Sequence, residues 1–146
     1  MPLLKSLTPR HARIVMIALA GLTIAPAPTF AATDACKGVK VEMTKARQEE
    51  YAPLVAAAID GKIKPSQVKF SAIMESGNWS AAYISTPESD DGVMFFQTVG
   101  GKKHFRDVWG GWADPSERQE ITAWATKLGA PAALARCFAA TVIGED

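Results

Sequence analysis

The sequence predicts an α+β domain with an N-terminal helix, a four-stranded antiparallel meander and two C-terminal helices. Three observations carry this. Residues 44–59 space their apolar side chains as one face of a helix. Residues 68–109 switch to alternation with period two, punctuated by Gly77-Asn78 and Gly100-Gly101. Asp114-Pro115-Ser116-Glu117 then has the composition of a helix start, and helical spacing resumes after it. A run of strands followed by a run of helices belongs to the α+β class.

The chain opens on a targeting segment, residues 1–31. Lys5, Arg10 and Arg13 form a positive region without an acid, and residues 14–25 are an apolar run of twelve. That run is shorter than the roughly 20 residues of a spanning helix and suits a signal peptide. Pro26 and Pro28 end it before Thr29-Phe30-Ala31, a small-x-small cleavage site. The expected product is a single domain, residues 32–146, periplasmic or secreted, with no stable membrane insertion after cleavage. All fifteen acids lie in that domain. Three of the sixteen Lys and Arg belong to the leader, so thirteen remain and the domain's net charge is −2, against +1 for the whole chain. This balance argues for neither nucleic acid nor an anionic membrane as partner. The domain holds two cysteines, Cys36 and Cys137. In an exported chain they are expected to form a disulfide. It would close a loop of about 100 residues, for which the chain-entropy model gives roughly 4–5 kcal/mol.

In the first helix Tyr51, Leu54, Val55, Ala58 and Ile59 form the buried face, and Pro53 must either kink the helix or split it. Asp60-Gly61 ends it, with Gly61 as the residue past the cap. Strands are expected over residues 68–75, 79–86, 93–99 and 102–109. A two-residue turn at Gly77-Asn78 sets Met74 opposite Ala81, Ala72 opposite Tyr83, and Phe70 opposite Ser85. The apolar residues, Val68 and Phe70 included, then share one side. Residues 87–92 read as a loop. A turn at Gly100-Gly101 pairs Phe96 with Phe105 and Val93 with Val108, and puts Lys102, His104 and Arg106 on the face of Val99, Gln97 and Phe95. Asp114 is the N-cap of the next helix, Pro115 its first residue, and Glu117 completes a capping box. Ile121, Trp124, Ala125 and Leu128 form its stripe and Gly129 ends it. A last helix follows Pro131, with Leu134, Cys137, Phe138 and Thr141 on one side. Helices on one face of the sheet are expected, and a curved sheet wrapped on a helix, as in cystatin-like folds, is the analogy.

No catalytic set emerges. Acyl transfer needs a nucleophile beside a base, and His104 is the one histidine beyond the leader. GxSxG, HExxH and zinc-ligand spacings are absent. Asp90-Asp91-Gly92 lacks the rest of a calcium loop and is explained by turn chemistry. Pairs drawn from Glu75, Asp90, Asp107 and Asp114 carry no specific signal for glycoside hydrolysis. No metal or cofactor is expected, and a small hydrolase is the least favoured reading. The candidate binding residues are Lys102, Lys103, His104 and Arg106, a basic strand with Trp109 and Trp112 beside it. Such a strand suits an acidic protein surface or a glycan; the plainer account is a solvated hairpin whose lysines discourage edge pairing. Trp79, Tyr83, Trp109 and Trp112 could line a sugar platform, though Trp79 reads as core.

Trp79-Ser80-Ala81-Ala82-Tyr83, the Gly-Gly-Lys-Lys-His-Phe hairpin running into Val108-Trp109-Gly110-Gly111-Trp112, and Leu128-Gly129-Ala130-Pro131 with Cys137-Phe138 give the chain its character. Over roughly residues 68–140 it resembles small uncharacterised exported bacterial α+β proteins. The resemblance implies a compact disulfide-tied domain and no assigned reaction. The expected function is a non-enzymatic binding domain, an inhibitor or immunity-type partner of an envelope protein. The alternative is a carrier of a small hydrophobic or glycan ligand between the sheet and the first helix.

Overall fold

The computed structural model describes residues 34–59 and 62–144. The expected leader, its cleavage site and the Asp60-Gly61 helix end lie outside them. A short 3-10 turn, Asp34–Cys36, leads into β1 (Lys40–Val41) and α1 (Lys45–Ala58). Four longer strands follow: β2 (Lys69–Ser76), β3 (Trp79–Thr86), β4 (Ser89–Val99) and β5 (Lys102–Gly110). A 3-10 turn, Pro115–Glu117, opens α2 (Arg118–Leu128), and α3 (Ala132–Ile143) closes the fold. The sheet is antiparallel with its strands in chain order. The α+β class thus holds, with five strands rather than four. The fifth is the two-residue β1, Lys40 pairing Glu75 and Val41 pairing Met74.

The three hairpins show how register decides the layers. Met74 faces Ala81 and Ala72 faces Tyr83, as the alternation requires, but a bulge at Ser71 sets Phe70 opposite Ile84 instead of Ser85. One extra residue reverses which face the preceding side chains occupy. Val68 and Phe70 therefore pack with Ile73, Ala82, Ile84, Met94 and Phe96 on one face, while Ala72, Met74, Ala81, Val93 and Phe95 lie on the other. Thr86 pairs Ser89 across a two-residue turn, so the expected loop over residues 87–92 is mostly strand. At Gly100-Gly101 both residues have positive φ, 58° and 78°, the tight turn that matches strand twist and that side chains resist. A register shift between Ile84 and Thr86 also marks the second hairpin; Phe96 meets Phe105 as expected, and a third shift, a bulge at Arg106, then moves Val108 opposite Met94 and gives Val93 to Trp109.

Both sheet faces are apolar, so both need a cover. This corrects the expectation of helices on one face and removes the wrapped-sheet analogy. Helix α1 covers the Ile73 face with Tyr51 and Val55, and Leu54, Ala58 and Ile59 are packed beside them. Thr44 caps it, accepting the Arg47 N–H at 3.3 Å. Pro53 lies inside this one helix at an exposed position, where the lost helical hydrogen bond is on the solvent side.

Helices α2 and α3 cover the Met74 face. Asp114 caps as predicted: its carboxylate accepts the Ser116 N–H at 2.9 Å and its own N–H donates to Glu117 Oε2 at 2.7 Å. The Ser116 amide and hydroxyl hold the Asp114 carboxyl below its ordinary range. Phe95 touches Trp124 and Phe138 edge-on, with ring centroids 5.4 and 5.0 Å away, and Trp109 joins them. Nearly all of α3 is buried, and Cys137 on it is bonded to Cys36.

Two outcomes follow from this packing. Replacing Cys36 and Cys137 by alanine removes a link across 101 residues. Urea titration should show a loss of about 4–5 kcal/mol; a loss below 1 kcal/mol would mean the bond constrains little. Gly129 has φ 106°, and a Cβ there would sit 3.2 Å from Trp79 Cζ2. Gly129→Ala should cost about 1–3 kcal/mol by the same titration, from the left-handed backbone and the crowded indole together. An unchanged midpoint would remove both causes.

Candidate functional site

The structure divides the basic strand between the two faces: Lys102 and His104 pair with Val99 and Gln97, as expected, and Arg106 lies on the same side. Lys103 turns to the α1 face, where its ammonium lies 3.0 Å from Glu50 and 3.9 Å from Glu75, and 5.4 Å from the centre of the Tyr51 ring. Arg106, the bulged residue, lies over the Trp79 ring on the opposite face, 5.9 Å from its centre. Trp109 is packed against Trp124 and Phe138. Of the six candidate residues, Lys102, His104, Arg106 and Trp112 are exposed, and Lys103 and Trp109 are half-buried. Trp112 is 69% exposed. His104 is exposed and makes no hydrogen bond to a nucleophile or an acid. No exposed sugar platform forms, because Trp79, Tyr83 and Trp109 all pack on the α2–α3 side, Trp79 buried and the other two half-buried.

Lys103 belongs to an ionic cluster that ties α1 to the sheet. Arg47 contacts Glu50 at 2.6 Å and Glu42 at 3.9 Å, and it pairs with Glu75 on β2. The Tyr51 hydroxyl donates to Glu75 at 2.7 Å. The side chains of Arg47, Glu75 and Lys103 are each only about one-fifth exposed, so these are not solvated surface pairs. Partial burial of Glu50 works to raise its pKa, but the contacts with Lys103 and Arg47 outweigh it and hold the carboxyl below its ordinary value. Burial pushes the Tyr51 phenol up, Glu50 adds to this, and Lys103 and Arg47 oppose it. The cluster satisfies its own charges and offers no free acid or base to a substrate. Among the described residues no group of three or more His, Cys, Asp and Glu could hold a metal ion.

What remains open is a groove between α1 and β5. Helix α1 meets β5 at Lys103 and leaves clefts on both its sides, one of about 360 Å³ against Val68 and Phe70 and another farther along β5. A cleft of about 550 Å³ has Met94 and Gly92 among its floor residues, with Ile59 on the helix side and Phe105 and Val108 on the outer side. A smaller one of about 280 Å³ runs on toward Lys103 and His104 and shares Ala58 and Phe105 with it. Phe105 and Val108 are 42% and 48% exposed. Reading the sequence missed this groove. Phe105 and Val108 are of opposite parity, and only the bulge at Arg106 brings both to one face. The missed signal was a strand whose apolar residues change parity around a single arginine.

Compared with known proteins, the chain matches no family model, no curated protein and no solved structure. The disulfide fits an oxidising, exported location, and among the described residues no helix is long and apolar enough to cross a membrane.

The ionic cluster predicts both limbs of a stability profile. Glu50's folded pKa is lowered, so its contribution is present above the unfolded value near ~4.3 and is lost as pH falls through the folded value. Tyr51's folded pKa is raised, so its contribution is present below ~10 and is lost as pH rises through the folded value. Glu75→Ala removes the acceptor that Arg47, Lys103 and the Tyr51 hydroxyl share, leaves both cations with Glu50, and should cost about 2–3 kcal/mol at neutral pH, measured by urea unfolding. A variant as stable as the parent would show that the cluster is not what fastens α1.

Proposed function

We propose that this protein is an exported, non-enzymatic binding domain that engages another protein of the cell envelope, as an inhibitor or immunity-type partner. The observation that carries this reading is the exposure of Phe105, Val108 and Trp112 along the last strand and its exit. Exposed large apolar side chains mark candidate interaction surfaces, and those of β5 outnumber Val41 and Met43 at the opposite edge of the sheet only when its exit residue Trp112 is included. The ionisable side chains around Phe105, Val108 and Trp112 are either paired internally, as Lys103 is, or isolated, as His104 is. The scaffold is braced by a disulfide and covered on both sheet faces, which suits a rigid surface held ready for a partner.

A second reading rests on the same groove. Its larger cleft falls within the size range of small-molecule sites and lies between the sheet and the first helix. A small hydrophobic or glycan ligand carried there is the alternative.

The test is a crosslinking pull-down with the oxidised protein in extract of its own envelope, read by mass spectrometry. One stoichiometric protein should be recovered, and Trp112→Ser should reduce its capture about tenfold or more without moving the thermal midpoint. Recovery of no protein, together with a small molecule retained in native mass spectrometry, would overturn the partner reading in favour of the carrier.

A further inference from the structure

The two clefts beside β5 share Ala58 and Phe105 and so form one continuous groove on the α1 face. It follows the strand from His104 to Gly110, which at about 3.3 Å per residue is roughly 20 Å. That is the span of about six residues of extended chain. Ala57 and Ala58 keep the helix wall low. Gly92 keeps the floor deep: a Cβ there would lie 3.4 Å from Val108 Cγ2 and 3.1 Å from the Trp109 carbonyl oxygen.

A partner has two ways to use β5, its edge or its face. The edge is obstructed. The Arg106 bulge interrupts its spacing, and the Val108 N–H is already taken by Asp107 Oδ1 at 2.8 Å. Bulges and charged side chains are what blunt an edge against strand addition. The face carries no such obstacle.

Charge then gives the groove a direction. At the His104 end the Lys103 ammonium is held by Glu50 and is not available to a ligand. At the other end lie Asp90 and Asp91, which have no ion-pair partner among the described residues. Asp90 and Asp91 both line the cleft, at a register shift between Ile84 and Thr86 that interrupts the strand alternation. The Asp91 charge adds to burial in raising the Tyr83 phenol, so it acts partly on the opposite face. Among the described residues the unpaired charge lining that end is negative, and the middle of the groove, Ala58, Met94, Phe105 and Val108, is apolar.

We infer that the groove between α1 and β5 takes an extended apolar segment of the partner protein, with a lysine or arginine at the end that meets Asp90. This rests on the reading of the protein as an interaction domain and specifies where the partner sits and what it must carry. Apolar side chains of the segment fill the space between Ala58 and Val108, and the basic residue sets its direction.

The experiment is selection from a displayed library of short random peptides. The bait is the full gene product, oxidised and purified in the processed form its cells make. Three exposed positions give the variants: Val108→Glu, Ala57→Trp and Asp90→Lys. The selected peptides should combine an apolar run with one terminal lysine or arginine. Val108→Glu and Ala57→Trp should each weaken the best peptide about tenfold or more, with the thermal midpoint unchanged. Selection on Asp90→Lys should turn the preference from basic to acidic residues. The inference is overturned if no peptide is selected, if the selected peptides bind Val108→Glu as well as the parent, or if the basic preference survives Asp90→Lys. An envelope protein captured equally by the parent and Val108→Glu would overturn the groove and leave the interaction reading standing. Groove-dependent peptides with no envelope partner would support the groove's specificity and remove the proposed partner.

Discussion

Strands β2, β3 and β4 alternate between two apolar sets, and neither face of the sheet is stable in water. Ile73 and Met74 are neighbours in the chain and both are buried, one beneath α1 and the other beneath α3. Everything else in the fold answers this requirement. The Met74 face receives two helices, an aromatic cluster of Phe95, Trp109, Trp124 and Phe138, and a disulfide that locks α3 to the start of the domain. The Ile73 face receives one helix of 14 residues, about 21 Å long.

That asymmetry connects packing to function. A single helix spans less of a five-stranded sheet than a pair does. Helix α1 is placed over the centre by Tyr51 and Val55, and its position is fixed by the contacts of Arg47 and Tyr51 with Glu75 and of Glu50 with Lys103. An ionic fastening of this kind is specific in geometry, because Glu75 and Lys103 sit on different strands and α1 must lie where its charges reach both. The uncovered remainder of the face includes the groove beside β5 and a cleft against Val68 and Phe70 on the β2 side. In this account the surface open to a partner is a consequence of how the helix is anchored.

Local signals were the most legible part of the sequence. The Asp114-Pro115-Ser116-Glu117 capping box, the left-handed Gly129, the Gly100-Gly101 turn and the pairing of Phe96 with Phe105 are all set by residues close in the chain. The Cys36–Cys137 bond was legible from parity and compartment. The second sheet face is carried by Ile73, Ala82, Ile84, Met94 and Phe96 in plain alternation; what no residue type announces is the bulge at Ser71 that adds Val68 and Phe70 to it. The same holds for Arg106, whose bulge gathers Phe105 and Val108 on one side. The destination of Lys103 was hidden for a different reason. Its partners, Glu50 and Glu75, are distant in sequence, and a lysine on an edge hairpin is ordinarily solvated.

The central claim is that the α1 side of β5 is open in the free protein and covered in its working state. Carbene footprinting of the purified protein, alone and in envelope extract, measures this directly. The account predicts labelling of Phe105, Val108 and Trp112 in the free protein, protection of all three in extract, and no labelling of Phe95 or Phe138 in either. Equal labelling of the three with and without extract would contradict it, as would protection confined to the α2–α3 side.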